Sequence, residues 1–111
     1  MKATAVAHPI AGLVKYHGMR DHDLRLPYHD SISVCTAPSR TRTTVRFEER
    51  ETDRYVVDGE PVEGQGAERI RSVLDRVRDL SGEDRRVRME SESNFPTNIG
   101  FGSSASGFAA L

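Results

Sequence analysis

Hydrophobic and polar positions alternate in several short runs of this chain and recur at helical spacing in one long run. Residues 2–8, K-A-T-A-V-A-H, read as a first strand ended by Pro9, which has no N–H to give a sheet. S-I-S-V-C at 31–35 and T-T-V-R-F at 43–47 alternate with the period of strands that face a core on one side. R-Y-V-V-D-G-E-P-V at 54–62 carries Asp58-Gly59, a dipeptide suited to a tight hairpin turn. Over 65–80 the period changes: Ala67, Ile70, Val73, Leu74, Val77 and Leu80 form one apolar stripe of a helix. Glu68 with Arg71 and Arg71 with Asp75 are spaced to pair on its surface, and Ser81-Gly82 ends it. V-R-M-E-S at 87–91 reads as another strand, and 103–111 as a helix of small residues. Residues 12–30 lack periodicity and read as an irregular functional loop. The order β, loop, several β, α, β, loop, α predicts an α+β domain with a mixed sheet packed against helices.

Composition narrows the class. With 111 residues, 30% charged and 36% hydrophobic, the chain is one domain or part of one. A net charge of −1 gives no general attraction to nucleic acid or to an anionic membrane. No apolar run approaches the roughly 20 residues of a membrane span, and no signal peptide is visible, so a cytoplasmic protein is expected. Cys35 has no partner for a disulfide and is expected to be a small buried hydrophobe. His8, His17, His22 and His29 match no zinc spacing. Of 16 basic residues only Lys2 and Lys15 are lysines, which singles out Lys15.

The candidate chemistry concentrates in N-F-P-T-N-I-G-F-G-S-S-A-S-G-F-A-A-L, residues 94–111. Gly100 and Gly102 permit a tight turn. Ser103, Ser104 and Ala105 then open a helix whose free N–H groups and dipole favour an anion. Either serine hydroxyl can bond phosphate, and one can ligate magnesium. A Walker A loop needs lysine where Phe108 stands. A dinucleotide fingerprint fits Gly100, Gly102 and Ala105 but should follow a strand directly. On the loop alone, a phosphate cradle and a Gly/Ser turn before a closely packed helix both remain open.

Two further motifs break that tie. K-Y-H-G-M-R-D at 15–21, followed by L-P-Y-H-D-S-I-S-V at 26–34, resembles the signature of mevalonate diphosphate decarboxylases, K-Y-W-G-K-R-D with L-P-x-N-x-S-I-S-V. The 94–111 stretch resembles the same family's glycine-serine loop, shared with the wider GHMP kinase superfamily. The resemblance runs the whole chain. It implies the N-terminal part of a GHMP-kinase-type fold across 1–111, truncated before the downstream catalytic aspartate and phosphate-binding residues. It also implies ATP-dependent phosphorylation of a tertiary 3-hydroxyl followed by decarboxylation, in isoprenoid biosynthesis. The partners implied are ATP, Mg2+ and a phosphorylated mevalonate, in a full-length protein expected to form a homodimer. The fragment alone is expected to be inactive.

On this resemblance Lys15 is the catalytic lysine beside the reacting hydroxyl. Tyr16, His17, Gly18, Met19, Ser31 and Arg69 fall at substrate-binding positions, with Ser33 nearby. Asn94, Gly100, Gly102, Ser103, Ser104 and Ala105 fall at ATP-binding positions, Ser104 being the candidate magnesium ligand. The departures gather on the substrate side. His17 replaces tryptophan, Met19 replaces a lysine, and His29 and Asp30 replace asparagine and a small residue. Losing a cation beside a diphosphate removes a charge-assisted contact of roughly 1.5–3 kcal/mol. A site with less positive charge suits a monophosphate, and H-P-I-x-G-L-V-K-Y-H-G-M-R-D with P-Y-H-D-S-I-S-V-C-T-A-P-S resembles the archaeal phosphomevalonate decarboxylases, which take mevalonate 5-phosphate. The diphosphate enzyme and a related mevalonate kinase are the alternatives.

Overall fold

The computed structural model describes residues 1–15, 17–96 and 103–111, with Ser103 and Ser104 described in backbone only. A five-stranded sheet has the order β1 (Lys2–Ala7), β6 (Thr41–Glu48), β9 (Arg86–Ser93), β7 (Arg54–Val57) and β8 (Glu60–Pro61). β6 runs antiparallel to both β1 and β9, whereas β7 runs parallel to β9, with α1 (Gly64–Ser81) in the connection between them. Asp58 and Gly59 both take positive φ in the β7–β8 turn, the geometry that the Asp-Gly dipeptide predicts. Arg78 O accepts the Gly82 N–H at 2.9 Å, closing α1 with a left-handed glycine at φ 72°.

The register divides one face of this sheet into two chemistries. Phe47 faces Val87 and Val45 faces Met89, and with Tyr55 they meet Ile70 and Leu74 of α1 in the core. Leu74 and Val87 are 1% and 0% exposed, and each such side chain contributes roughly 1.5–3 kcal/mol of burial. Further along the same two strands the pairs become Thr43 with Ser91 and Thr41 with Ser93, joined through their hydroxyls at 2.8 and 2.9 Å. α2 (Ser103–Ala110) packs against β1 and β6 at this hydroxyl end, where the buried Ser106 hydroxyl bonds Thr41 Oγ1 at 2.7 Å.

A buried charge cluster locks the far end of α1. Asp53 accepts from Arg78 Nη2 at 2.7 Å, from the Val87 N–H at 2.9 Å and from the Tyr55 hydroxyl at 2.9 Å. Burial opposes ionisation of Asp53, but these donors outweigh it and hold its pKa below the ordinary value. Arg78 also donates to Asp75 and to the Arg85 carbonyl, and its guanidinium lies 5.9 Å from the centre of the Phe47 ring.

Several expectations are corrected. Within 12–30, which reads as irregular, the chain forms most of β2 (Ile10–Val14), then β3 (Met19–Asp21) and β4 (Leu26–Pro27). β2 pairs with β5 (Ile32–Cys35), and β3 with β4, as separate two-stranded ribbons. The β2–β5 pairing is long-range, and β3 and β4 are only three and two residues long, so neither ribbon leaves a local period to read. Cys35 is exposed, not buried, because it sits in a two-stranded ribbon whose β5 face carries no covering layer among the described residues. Only part of the α1 stripe faces the sheet. Ile70 and Leu74 are buried and Ala67 partly so, but Val73, Val77 and Leu80 lie on the flank that the sheet does not reach. Asp75 pairs with Arg78, not Arg71. Burial and the hydrogen bond to Asp53 push the pKa of the Tyr55 hydroxyl up. Among the described residues no helix is long and apolar enough to cross a membrane.

Candidate functional site

The β2–β5 ribbon brings two candidate residues to one end. Val14 pairs with Ile32, so Lys15, which follows Val14, and Ser31, which precedes Ile32, emerge together. Lys15 is exposed, and its stem folds back over Gly12: a Cβ on Gly12 would lie 3.0 Å from Lys15 Cγ and Cε. Glycine at that position gives the lysine stem its path, and Ser33 stands directly across the ribbon.

The next residues form the β3–β4 ribbon. His17 is exposed, and Gly18 lies beside the Tyr28 ring. Met19 is half-buried at the start of β3 and pairs with Pro27. Asp21 Oδ1 accepts the Leu24 N–H at 2.8 Å and closes the turn. His29 Nδ1 donates to the neighbouring Asp30 carbonyl at 2.8 Å. Tyr16 lies outside the described residues.

On the nucleotide side, α2 begins at Ser103, as the sequence predicts, with Ala105 half-buried in its first turn. Gly100 and Gly102 lie outside the described residues. Arg69 is exposed in the N-terminal half of α1 and lines a cavity of about 350 Å³ between α1, α2 and the sheet. Thr41, Thr43, Ser91 and Ser93 form its polar floor, and Val62, Ile70, Met89 and Phe108 are among its apolar walls. Lys15 and Ser31 belong to the ribbon and are not part of that lining. The structure thus joins Lys15 with Ser31, and Arg69 with the hydroxyl row, as two separate groups.

Asn94 is held by backbone groups at both ends of its carboxamide. Its Oδ1 accepts the Arg40 N–H at 2.7 Å and its Nδ2 donates to the Pro38 carbonyl at 3.1 Å. The hydroxyls of Thr41, Ser93 and Ser106 form a linked set that the sequence reading missed. The available signal was the run of Thr41-x-Thr43 and Ser91-x-Ser93 at strand period, where apolar residues would otherwise face a core. Among the described residues no three His, Cys, Asp or Glu side chains are grouped to hold a metal ion.

Comparison with known proteins supplies the family. The chain is 72% identical over 111 residues to a phosphomevalonate decarboxylase of Haloferax volcanii, covering 99% of this chain and 34% of that one. It superposes on the crystal structure of mevalonate diphosphate decarboxylase from Staphylococcus aureus with a TM-score of 0.90 and 38% identity, again over 99% of this chain and 34% of that one. It superposes equally broadly on MDDEF in complex with MVAPP, AMPPCP and magnesium, at a TM-score of 0.88 and 31% identity over 99% and 34% of the two chains. The chain therefore spans about a third of the length of the proteins it matches. Residues 7–111 match the model of the diphosphomevalonate decarboxylase-like N-terminal domain, and the chain belongs to that family.

Proposed function

We propose that these residues form the N-terminal part of an ATP-dependent decarboxylase acting on mevalonate 5-phosphate. The observation that carries the reading is the similarity over essentially the whole chain to the Haloferax phosphomevalonate decarboxylase. Met19 supports the monophosphate, because a neutral thioether stands where the diphosphate signature has a cation.

The chemistry requires a poor nucleophile, a tertiary hydroxyl, to take the γ-phosphoryl group of ATP. The new phosphate then leaves as the carboxylate breaks away as carbon dioxide, and the bonding electrons form the alkene of an isopentenyl phosphate. Lys15 supplies a cation at an exposed ribbon end, where it can stabilise the developing alkoxide. Ser31, from the same end, offers a hydroxyl to orient the substrate, with His17, Gly18 and Met19 on the adjoining turn. Arg69 and Tyr16 are assigned to the substrate phosphate, Tyr16 on sequence alone.

The α2 N-terminus presents backbone N–H groups to the ATP phosphates, and Gly100 and Gly102 join it on sequence alone. This donor set suits ATP, since it holds negative charge without a lysine. Ser104 would ligate magnesium as a hard oxygen donor, and the bound ion would neutralise phosphate charge during transfer.

A second reading, the diphosphate substrate, is favoured by the solved neighbours named as mevalonate diphosphate decarboxylases. The test is kinetic, on a protein of the relatives' length that begins with these residues (the full-length protein). kcat/KM is compared for mevalonate 5-phosphate and 5-diphosphate with MgATP. A preference for the monophosphate is expected; a strong preference for the diphosphate overturns the assignment.

A further inference from the structure

We infer that Asn94 is a positioning residue: it fastens the chain where it leaves β9 and does not bind nucleotide. This rests on the decarboxylase reading for its kinetic test and replaces the ATP-binding role that the sequence predicts for Asn94. Both ends of its carboxamide are engaged by backbone, Oδ1 with the Arg40 N–H at 2.7 Å and Nδ2 with the Pro38 carbonyl at 3.1 Å. The Asn94 N–H adds a third bond, to the Arg40 carbonyl at 3.1 Å. Turning this amide toward a nucleotide would break two bonds to the 38–40 turn.

The next residue of that turn holds the other end of the segment. Thr41 Oγ1 bonds Ser93 Oγ at 2.9 Å and Ser106 Oγ at 2.7 Å, and Ser106 is 0% exposed. The chain thus leaves the sheet at Ser93–Asn94 and is caught again in α2 at Ser106, on consecutive residues Arg40 and Thr41. The same turn grips the corner that leads into β2 and Lys15. The Thr36 N–H and hydroxyl donate to the Pro9 carbonyl at 2.9 and 3.0 Å, and His8 Nδ1 donates to the Ser39 carbonyl at 2.8 Å. Residues 36–41 are therefore a common post for the Lys15 ribbon and for α2. Catalysis by positioning is sensitive to such a post, since a displacement of about 1 Å can cost about 100-fold in rate.

The experiment uses the full-length protein with Asn94→Ala, Asn94→Asp and Thr41→Val. Asp keeps the acceptor for Arg40 but sets an oxygen against the Pro38 carbonyl; Val removes the second fastening. The expected result is a fall in kcat of about 10- to 100-fold in all three, with KM and calorimetric Kd for ATP within about threefold of the parent. A purely structural role would lower Tm and leave kcat per folded molecule unchanged, which overturns the inference. So does a tenfold or greater rise in Kd for ATP with kcat retained. In a 15N-labelled sample the Asn94 side-chain NH2 signals, assigned by their loss in Asn94→Ala, are expected to stay in place on MgATP saturation; their displacement means direct contact and also overturns it. Calorimetry and NMR need no turnover, so failure of the decarboxylase reading alone would appear as absent carbon dioxide release with both binding readouts as expected.

Discussion

Removing Asp53 tests the energetics of the fold most sharply. Its carboxylate is 4% exposed and serves three donors: Arg78, the Val87 N–H and the Tyr55 hydroxyl. Asp53→Ala leaves a guanidinium that is 11% exposed without its buried counter-charge and strips the partner from a strand N–H. Losing one member of a buried pair costs about 3–5 kcal/mol. Arg78 keeps Asp75 and the Arg85 carbonyl, which places the cost near the lower bound, about 3 kcal/mol. The full-length protein is about three times as long as this chain, so each kcal/mol shifts Tm by roughly 1.5 °C, and Tm should fall by about 4 °C in calorimetry.

The pH dependence has a definite sign. The folded pKa of Asp53 lies below its unfolded value, so its contribution is complete above the unfolded pKa, about 4. It is lost as pH falls through the folded pKa. The Tm gap between parent and Asp53→Asn should therefore be constant from about pH 5 to 7 and narrow below about pH 4. A cycle with Arg78→Met should show a coupling of at least about 1 kcal/mol. A Tm loss under about 2 °C for Asp53→Ala, or strict additivity with Arg78→Met, would refute this account of the cluster.

Lys15→Met in the full-length protein should lower kcat by at least about 100-fold at unchanged Tm, followed by ADP release; retention of most activity would remove Lys15 from the chemistry. Met19→Lys should raise kcat/KM for the diphosphate about 10- to 150-fold relative to the monophosphate, the value of one charge-assisted contact. Leu74→Ala, at a side chain 1% exposed, should cost about 2–5 kcal/mol in denaturant unfolding, whereas Leu80→Ala, at 83% exposed, should cost far less in a protein whose other parts leave Leu80 uncovered.

What the sequence could reveal followed the range of the interactions. The helix at 65–80 became Gly64–Ser81, and the Asp58-Gly59 turn formed, because side-chain period and turn chemistry are local. The β2–β5 ribbon escaped notice because Gly12 and Ser33 pair across intervening turns with no shared period. The exposure of Cys35 escaped for a related reason: alternation shows that one face is apolar, not whether a layer covers it. The Asp53–Arg78 pair joins a loop to a helix and left no mark at helical spacing. Lys15 and the Gly/Ser stretch are candidates that motif alone singles out. The engagement of Asn94 with the 38–40 turn was not legible, because a motif fixes residue type and says nothing of which atoms are already spent.

The proposed reaction couples phosphorylation of the 3-hydroxyl to loss of carbon dioxide. The most direct measurement is the stoichiometry of a single set of turnovers by the full-length protein with MgATP and mevalonate 5-phosphate labelled in its carboxylate. One ADP, one inorganic phosphate and one labelled carbon dioxide per isopentenyl phosphate is the predicted result. ADP formed together with a stable phosphorylated mevalonate, and no labelled carbon dioxide, would contradict it and identify a kinase.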